Sequence, residues 1–210
     1  MAALLRILML CAVSAVLAGP CFAAHPAGIA EGFGSVSWGA DVSRLPGFMK
    51  LRSDQGIEYF VNLRERYEMK GYGKPTVYYG QVGGRLYAAH LLMKDASSRD
   101  GLMAEMDKLY GPGKKSDGGV VRWKAGPVRV KLSAGQAGES KLSFYYLPVD
   151  ATLPVILREA ELDSQALASL LPPHEAPVMA PAGASAPKPE DYVGIDVLKF
   201  LRQGGQALKP

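Results

Sequence analysis

Two kinds of side chain in this 210-residue chain could act on a ligand: a histidine set in a strand-like run, and tyrosines in adjacent pairs. His90 lies within the run from Arg85 to Met93, where its imidazole could serve as a general base or metal ligand near neutral pH. Asp95 is the nearest carboxylate downstream that could work with such a base. The plainer reading makes His90 a hydrogen-bonded framework residue, on the strand face opposite Tyr87, Ala89 and Leu91. That reading is preferred, because neither His25 nor His174 can be set beside it from sequence.

Nine of the ten tyrosines fall between Tyr59 and Tyr146, and Tyr78/Tyr79 and Tyr145/Tyr146 are adjacent. Neighbours in a strand point to opposite faces, so each pair shows one ring to each side of a sheet. Exposed, such rings would stack on sugars or grip a partner strand, which makes these four the candidate binding residues of the domain. Half-buried, they are ordinary strand residues, the commoner use of tyrosine.

Other motifs are fragments. Ser185-Ala186-Pro187-Lys188 has the spacing of a Ser-x-x-Lys nucleophile but lies among prolines and alanines. Gly71-Tyr72-Gly73-Lys74-Pro75 resembles part of a phosphate loop, without the remaining glycine or a following helix. No Gly-x-Ser-x-Gly elbow, His-Glu-x-x-His pair or Asp-rich calcium loop occurs, so neither a metal nor a cofactor is expected.

The elements that would position these residues read as follows. Gly32 to Gly39 alternates as a short first strand, and Asp41 can cap a turn that Pro46-Gly47 ends. Ile57, Tyr59, Val61 and Leu63 share a strand face, and a strand from Tyr67 to Met69 could pair with it. Gly83-Gly84 joins the runs 76–82 and 85–93 as a two-residue hairpin. Ser97 and Asp100 form an approximate capping box. Leu102, Met103, Met106, Leu109 and Tyr110 then make a helical stripe, which Gly111-Pro112-Gly113 stops. Strands follow at 120–124, 128–132 and 142–147. The fold class expected is α+β: a mainly antiparallel sheet of about six strands with one amphipathic helix on one face.

That domain spans 32–149. A partly helical extension occupies 150–171, and Pro172 to Pro189 holds 6 prolines and 5 alanines, the composition of an extended linker. Residues 190–203 regain helical spacing, with Val193, Val197, Leu198 and Leu201 as an apolar stripe. An isolated helix of this length is marginal in water. The stripe therefore needs a partner, either this domain or another envelope protein, and the long tether favours the second.

The N-terminus has the layout of a secretory signal peptide: Arg6, an apolar run from Ile7 to Ala18, the break Gly19-Pro20, and small residues before Ala24. The run is too short to span a bilayer. Cleavage after Ala23 would remove both cysteines and leave a periplasmic or secreted chain with no transmembrane segment. Pro20 before Cys21 spoils a lipid-attachment box, so a lipoprotein is the lesser alternative. From His25 to Asp150 there are 18 basic and 13 acidic residues, interleaved like a solvated surface. That balance is too mild to imply nucleic-acid binding.

The Gly32-Phe33…Trp38-Gly39 opening, the strand pair carrying Tyr79-Gly80 and Arg85-Leu86-Tyr87, the helix end Tyr110-Gly111-Pro112 and the following Arg122-Trp123 together resemble small exported bacterial domains of unknown function. The resemblance covers about Gly32 to Leu147 and implies a Gram-negative envelope home, with no activity to carry over. The expected function is a non-catalytic periplasmic binding or scaffolding module acting through protein–protein contacts. The alternatives are an envelope hydrolase or transferase with His90 and Asp95 in its site, and a carrier of an apolar ligand. Mass spectrometry of the protein from its host should find a chain starting at or one residue beyond Ala24 without an acyl group; a diacylglyceryl Cys21 would make it a lipoprotein instead.

Overall fold

The computed structural model describes residues 27–94, 98–135, 138–154, 166–167, 169 and 192–205. The leader, Asp95, Ser97, most of the 150–171 extension and the linker 172–189 lie outside the described residues.

The chain is α+β. It opens with a small hairpin, β1 (Gly32–Phe33) and β2 (Val36–Ser37), rather than one strand, because the chain reverses at Gly34, whose φ of +59° suits a residue without Cβ. Asp41 caps a single 3-10 turn, Val42–Arg44, by accepting the Ser43 N–H at 3.1 Å. The main sheet then comprises β3 (Phe48–Asp54), β4 (Ile57–Asn62), β6 (Thr76–Val82), β7 (Arg85–Met93), β8 (Lys114–Lys115), β9 (Val121–Ala125), β10 (Val128–Ala134) and β11 (Ser140–Tyr146). These eight strands lie in the order β3-β4-β6-β7-β11-β10-β9-β8, antiparallel throughout. Two meanders, one from each half of the chain, therefore meet at β7 and β11.

Sequence periodicity missed β3. It is a half-exposed edge strand, and a bulge between Lys50 and Arg52 breaks its alternation. The hairpin of β6 and β7 turns at Gly83 and Gly84 with φ of +54° and +72°, the geometry of a primed turn. A bulge at Tyr87, opposite the step from Gly80 to Gln81, places Tyr87 and Ala88 in the same core cluster. Tyr87 thus shares His90's face instead of opposing it.

Each face of the sheet carries a core, the second one over β4, β6, β7 and β11. On the first, α1 (Ser98–Tyr110) buries Leu102 and Met106 completely, one turn apart, against residues such as Val77, Leu91, Val130 and Phe144. Asp107 fastens the end of this helix to β9: its Oδ1 accepts from Trp123 Nε1 at 2.8 Å and from the Gly113 N–H at 2.9 Å. On the second face, Ile57, Tyr59, Tyr78, Leu92 and Tyr145 pack with Val149 of α2 (Leu147–Asp150), Leu153 and Leu167.

Two expectations about the chain's ends are corrected. The strand β5 (Glu65–Glu68) does not pair with β4; it pairs in parallel with β12 (Val193–Asp196) from the C-terminal arm. The arm's helix, α3, accordingly runs Val197–Gly205 rather than 190–203. Val193-Gly194-Ile195 is better suited to a strand, the Val193 N–H donates to the Arg64 carbonyl at 2.8 Å, and Asp196 caps α3 by accepting the Lys199 N–H at 3.0 Å. The stripe proposed for an outside partner is occupied within this domain: Val197, Leu198 and Leu201 are buried with Phe33, Tyr67 and Met69, while Val193 is 56% exposed. Arg202 reaches Glu105 of α1 at 3.2 Å.

If the arm is part of the fold, Leu201→Ala should cost about as much as Leu102→Ala, ~2–5 kcal/mol, and Val193→Ala well under 1 kcal/mol. Urea midpoints measure both, and a Leu201→Ala midpoint equal to wild type would detach the arm from the core.

Candidate functional site

His90 sits at the centre of the sheet. Its Nδ1 lies 3.0 Å from Ser143 Oγ, in the residue directly opposite on β11. The rings of Tyr145 and Tyr59 flank the imidazole at 5.6 and 6.3 Å. A serine hydrogen-bonded to a histidine is the pairing of a nucleophile and its base. Here, however, His90 is 1% exposed and Ser143 0%, so no reacting carbonyl can approach the oxygen. The pair links two strands, and Asp95 lies outside the described residues. Among those residues, no group of three or more His, Cys, Asp or Glu could hold a metal, and no helix is long and apolar enough to cross a membrane.

The paired tyrosines do send one ring to each face, but into the interior. Tyr79 lies in the core beneath α1 and α3, and Tyr78 and Tyr145 in the core of the second face. Tyr146 is half-buried and stacks on Trp38 at 5.9 Å. These four residues thus follow the commoner use of tyrosine in strands, and layers distant in sequence cover three of them.

An accessible concavity among the described residues lies elsewhere. The ladder between β4 and β6 stops at Phe60↔Tyr79. Beyond it β4 continues on β3 as far as Asn62↔Phe48, and β6 continues on β7 as far as Thr76↔Leu92. The two strands separate, and between them opens a cleft of about 740 Å³. Val61, Asn62 and Leu63 form one wall, Pro75, Thr76 and Val77 another, and β5 with β12 a third. Pro75 suits this place, since it stands just before β6, where a missing N–H breaks no ladder.

A buried carboxylate holds β5 in position. Glu65 is 4% exposed. Its Oε2 accepts from the hydroxyls of Tyr67 and Tyr79, the latter at 3.0 Å, and its Oε1 accepts the Ser35 N–H at 3.2 Å. The two phenolic oxygens are 2.5 Å apart. A Cβ on Gly34 would lie 2.7 Å from the Tyr79 hydroxyl, so the β1–β2 turn can close over this cluster only as glycine. Sequence reading passed over Glu65; its signal was an acid at the buried phase of Glu65-Arg66-Tyr67-Glu68, where Glu65, Tyr67 and Met69 alternate inward. Arg66 joins the arm to β5 from outside: its guanidinium lies 3.7 Å over the Tyr192 ring and donates to the carbonyls of Leu63 and Glu65. Around the mouth, Arg66 and Lys74 balance Glu68 and Asp196, all exposed.

A scan against family models finds no match to this chain, and searches of characterised proteins and of solved structures find no significant match.

Burial, followed by neighbouring Tyr79 and the Glu65 carboxylate, pushes the Tyr67 phenol well above its usual pKa of 10.0; burial and then Glu65 do the same to Tyr79. Burial also raises Tyr78 and Tyr110. The folded protein keeps these protons after the unfolded chain has lost them. Stability should therefore be indifferent to these groups below pH 10 and fall above it, by up to about 1.4 kcal/mol per pH unit for each tyrosine. Urea midpoints across the alkaline range measure the slope, and Tyr79→Phe should reduce it; a flat profile well above pH 10 would contradict the burial of these phenols.

Proposed function

We propose that this protein is a non-catalytic binding module of the cell envelope that takes an extended segment of a partner protein into the cleft between β4 and β6. The observation that carries this reading is the interrupted ladder. Two neighbouring strands part while each stays fixed to its outer neighbour, which leaves facing backbone edges in an open cleft. Such edges recognise an added strand through main-chain hydrogen bonds, with side chains read by the walls. The mixed charges at the mouth suit a peptide better than a polyanion. The burial of His90 and Ser143 weighs against the hydrolase reading. Cores on both faces weigh against an apolar-ligand carrier. The leader and the resemblance to exported domains support an envelope home.

The test is selection of a random peptide display library on the immobilised full chain, followed by chemical-shift mapping of an enriched peptide. Shifts should concentrate at Val61–Leu63 and Thr76–Tyr78. Gly194 lines the cleft, and a Cβ there meets nothing within 4 Å, so Gly194→Leu starts into open space. This variant should melt like wild type and bind the peptide at least about tenfold more weakly. No enrichment over a blank surface, or shifts confined to another face, would refute the assignment.

A further inference from the structure

The basic residues that look interleaved along the chain are sorted by the fold. In β9 and β10 the residues Val121, Trp123, Val128, Val130 and Leu132 all point into the core beneath α1. Their alternates point to the other face, and these are cations: Arg122 and Lys124 on β9, Arg129 and Lys131 on β10. The register stacks them across strands. Lys131 opposes Arg122, which opposes Lys114 of β8, and Arg129 opposes Lys124. Five cations thus occupy one face of three adjacent strands, and those strands place no acid among them.

Like charges directly opposite one another destabilise a sheet, so this arrangement opposes folding. Compensation from outside the strands is partial. Asp150 meets Arg129 at 3.2 Å, and Ser116 Oγ accepts from Arg122. Lys131 is half-buried and has contacts of its own. Lys114, Arg122 and Lys124 are exposed, and Lys114 and Lys124 have no acidic partner among the described residues. Lysine on an edge strand guards against sheet-to-sheet pairing, which accounts for β8. It does not account for β9 and β10, which are interior to the sheet.

We propose that this face rests on a membrane surface rich in anionic lipid headgroups. The three exposed cations, Lys114, Arg122 and Lys124, lie side by side on one face of β8 and β9, so they can meet a plane of phosphates at once, while Arg129 and Lys131 add charge behind them. Each Lys or Arg held near such a surface adds to the attraction, and salt screens it. The reading is independent of the peptide cleft.

The test is co-sedimentation of the full mature chain with vesicles of phosphatidylcholine alone or with about one-third phosphatidylglycerol. Binding should require the anionic lipid and weaken strongly between low and physiological salt. The double variant Arg122→Glu/Lys124→Glu should lose roughly tenfold or more in affinity, and Arg122→Gln/Lys124→Gln should lose less. Lys199→Glu, an exposed cation on α3 against the opposite face, should change little. Unchanged melting temperatures would show that the variants fold, and the Gln pair carries the test if the Glu pair does not. Equal binding to both vesicle types, or equal loss from Lys199→Glu, would overturn the proposal. Retention on heparin without vesicle binding would also overturn it, in favour of a soluble polyanion.

Discussion

The pairing of β7 with β11 is the constraint on which the rest of this structure depends. It is where the two meanders join, in register from Ser140↔Met93 to Tyr145↔Ala88. A slip of one residue would turn β11 over, sending Leu142 and Phe144 out of the core beneath α1 and Lys141 into it. The His90–Ser143 hydrogen bond lies within this joint, between directly opposed residues. A wrong register would part this buried imidazole and hydroxyl, and a buried polar group left unsatisfied costs about 1–3 kcal/mol. The residue with the most catalytic promise in the sequence thus bridges the two strands whose register the sheet depends on.

A second buried polar cluster does the same for the smaller sheet. Glu65 would be costly in the core without donors, and it has three: two phenols and the Ser35 N–H. These tie β5 to β6 and to the β1–β2 turn, so β5 stands out of the main sheet with an edge ready for β12. The arm then completes what the first 150 residues leave open, inserting Val197, Phe200 and Leu201 beside Phe33 and Tyr67. One wall of the cleft comes from that same arm.

Local chemistry was legible in the sequence, and pairing was not. Gly83-Gly84 reveals the hairpin and Gly111-Pro112 the end of α1, because both signals act within a few residues. β3 was hidden by its bulge, and β12 by a partner far back in the chain at β5. The tyrosine pairs announce two faces but not the layers that cover them. The basic face is intermediate. Arg122/Lys124 and Arg129/Lys131 already have the period of two, yet only the register shows that they stack in rows.

The cleft and the basic face stand apart in a way that lets both be used. From β6 to β10 there are three steps across the sheet, roughly 15 Å at the usual strand spacing. The cleft is walled by β5 and β12, whose Tyr67 and Ile195 belong to the core beneath α1, whereas the cations project from the opposite face. A surface laid against β8, β9 and β10 would therefore leave the gap between β4 and β6 clear. The two charge patterns differ accordingly: strands carrying cations and no acid where a plane of phosphates would lie, and balanced signs where a peptide would enter. The like-charge rows that burden the sheet at one edge and the interrupted ladder near the other are both departures from the most stable arrangement of these strands, and such departures are expected where a sequence has been kept for binding rather than for stability alone.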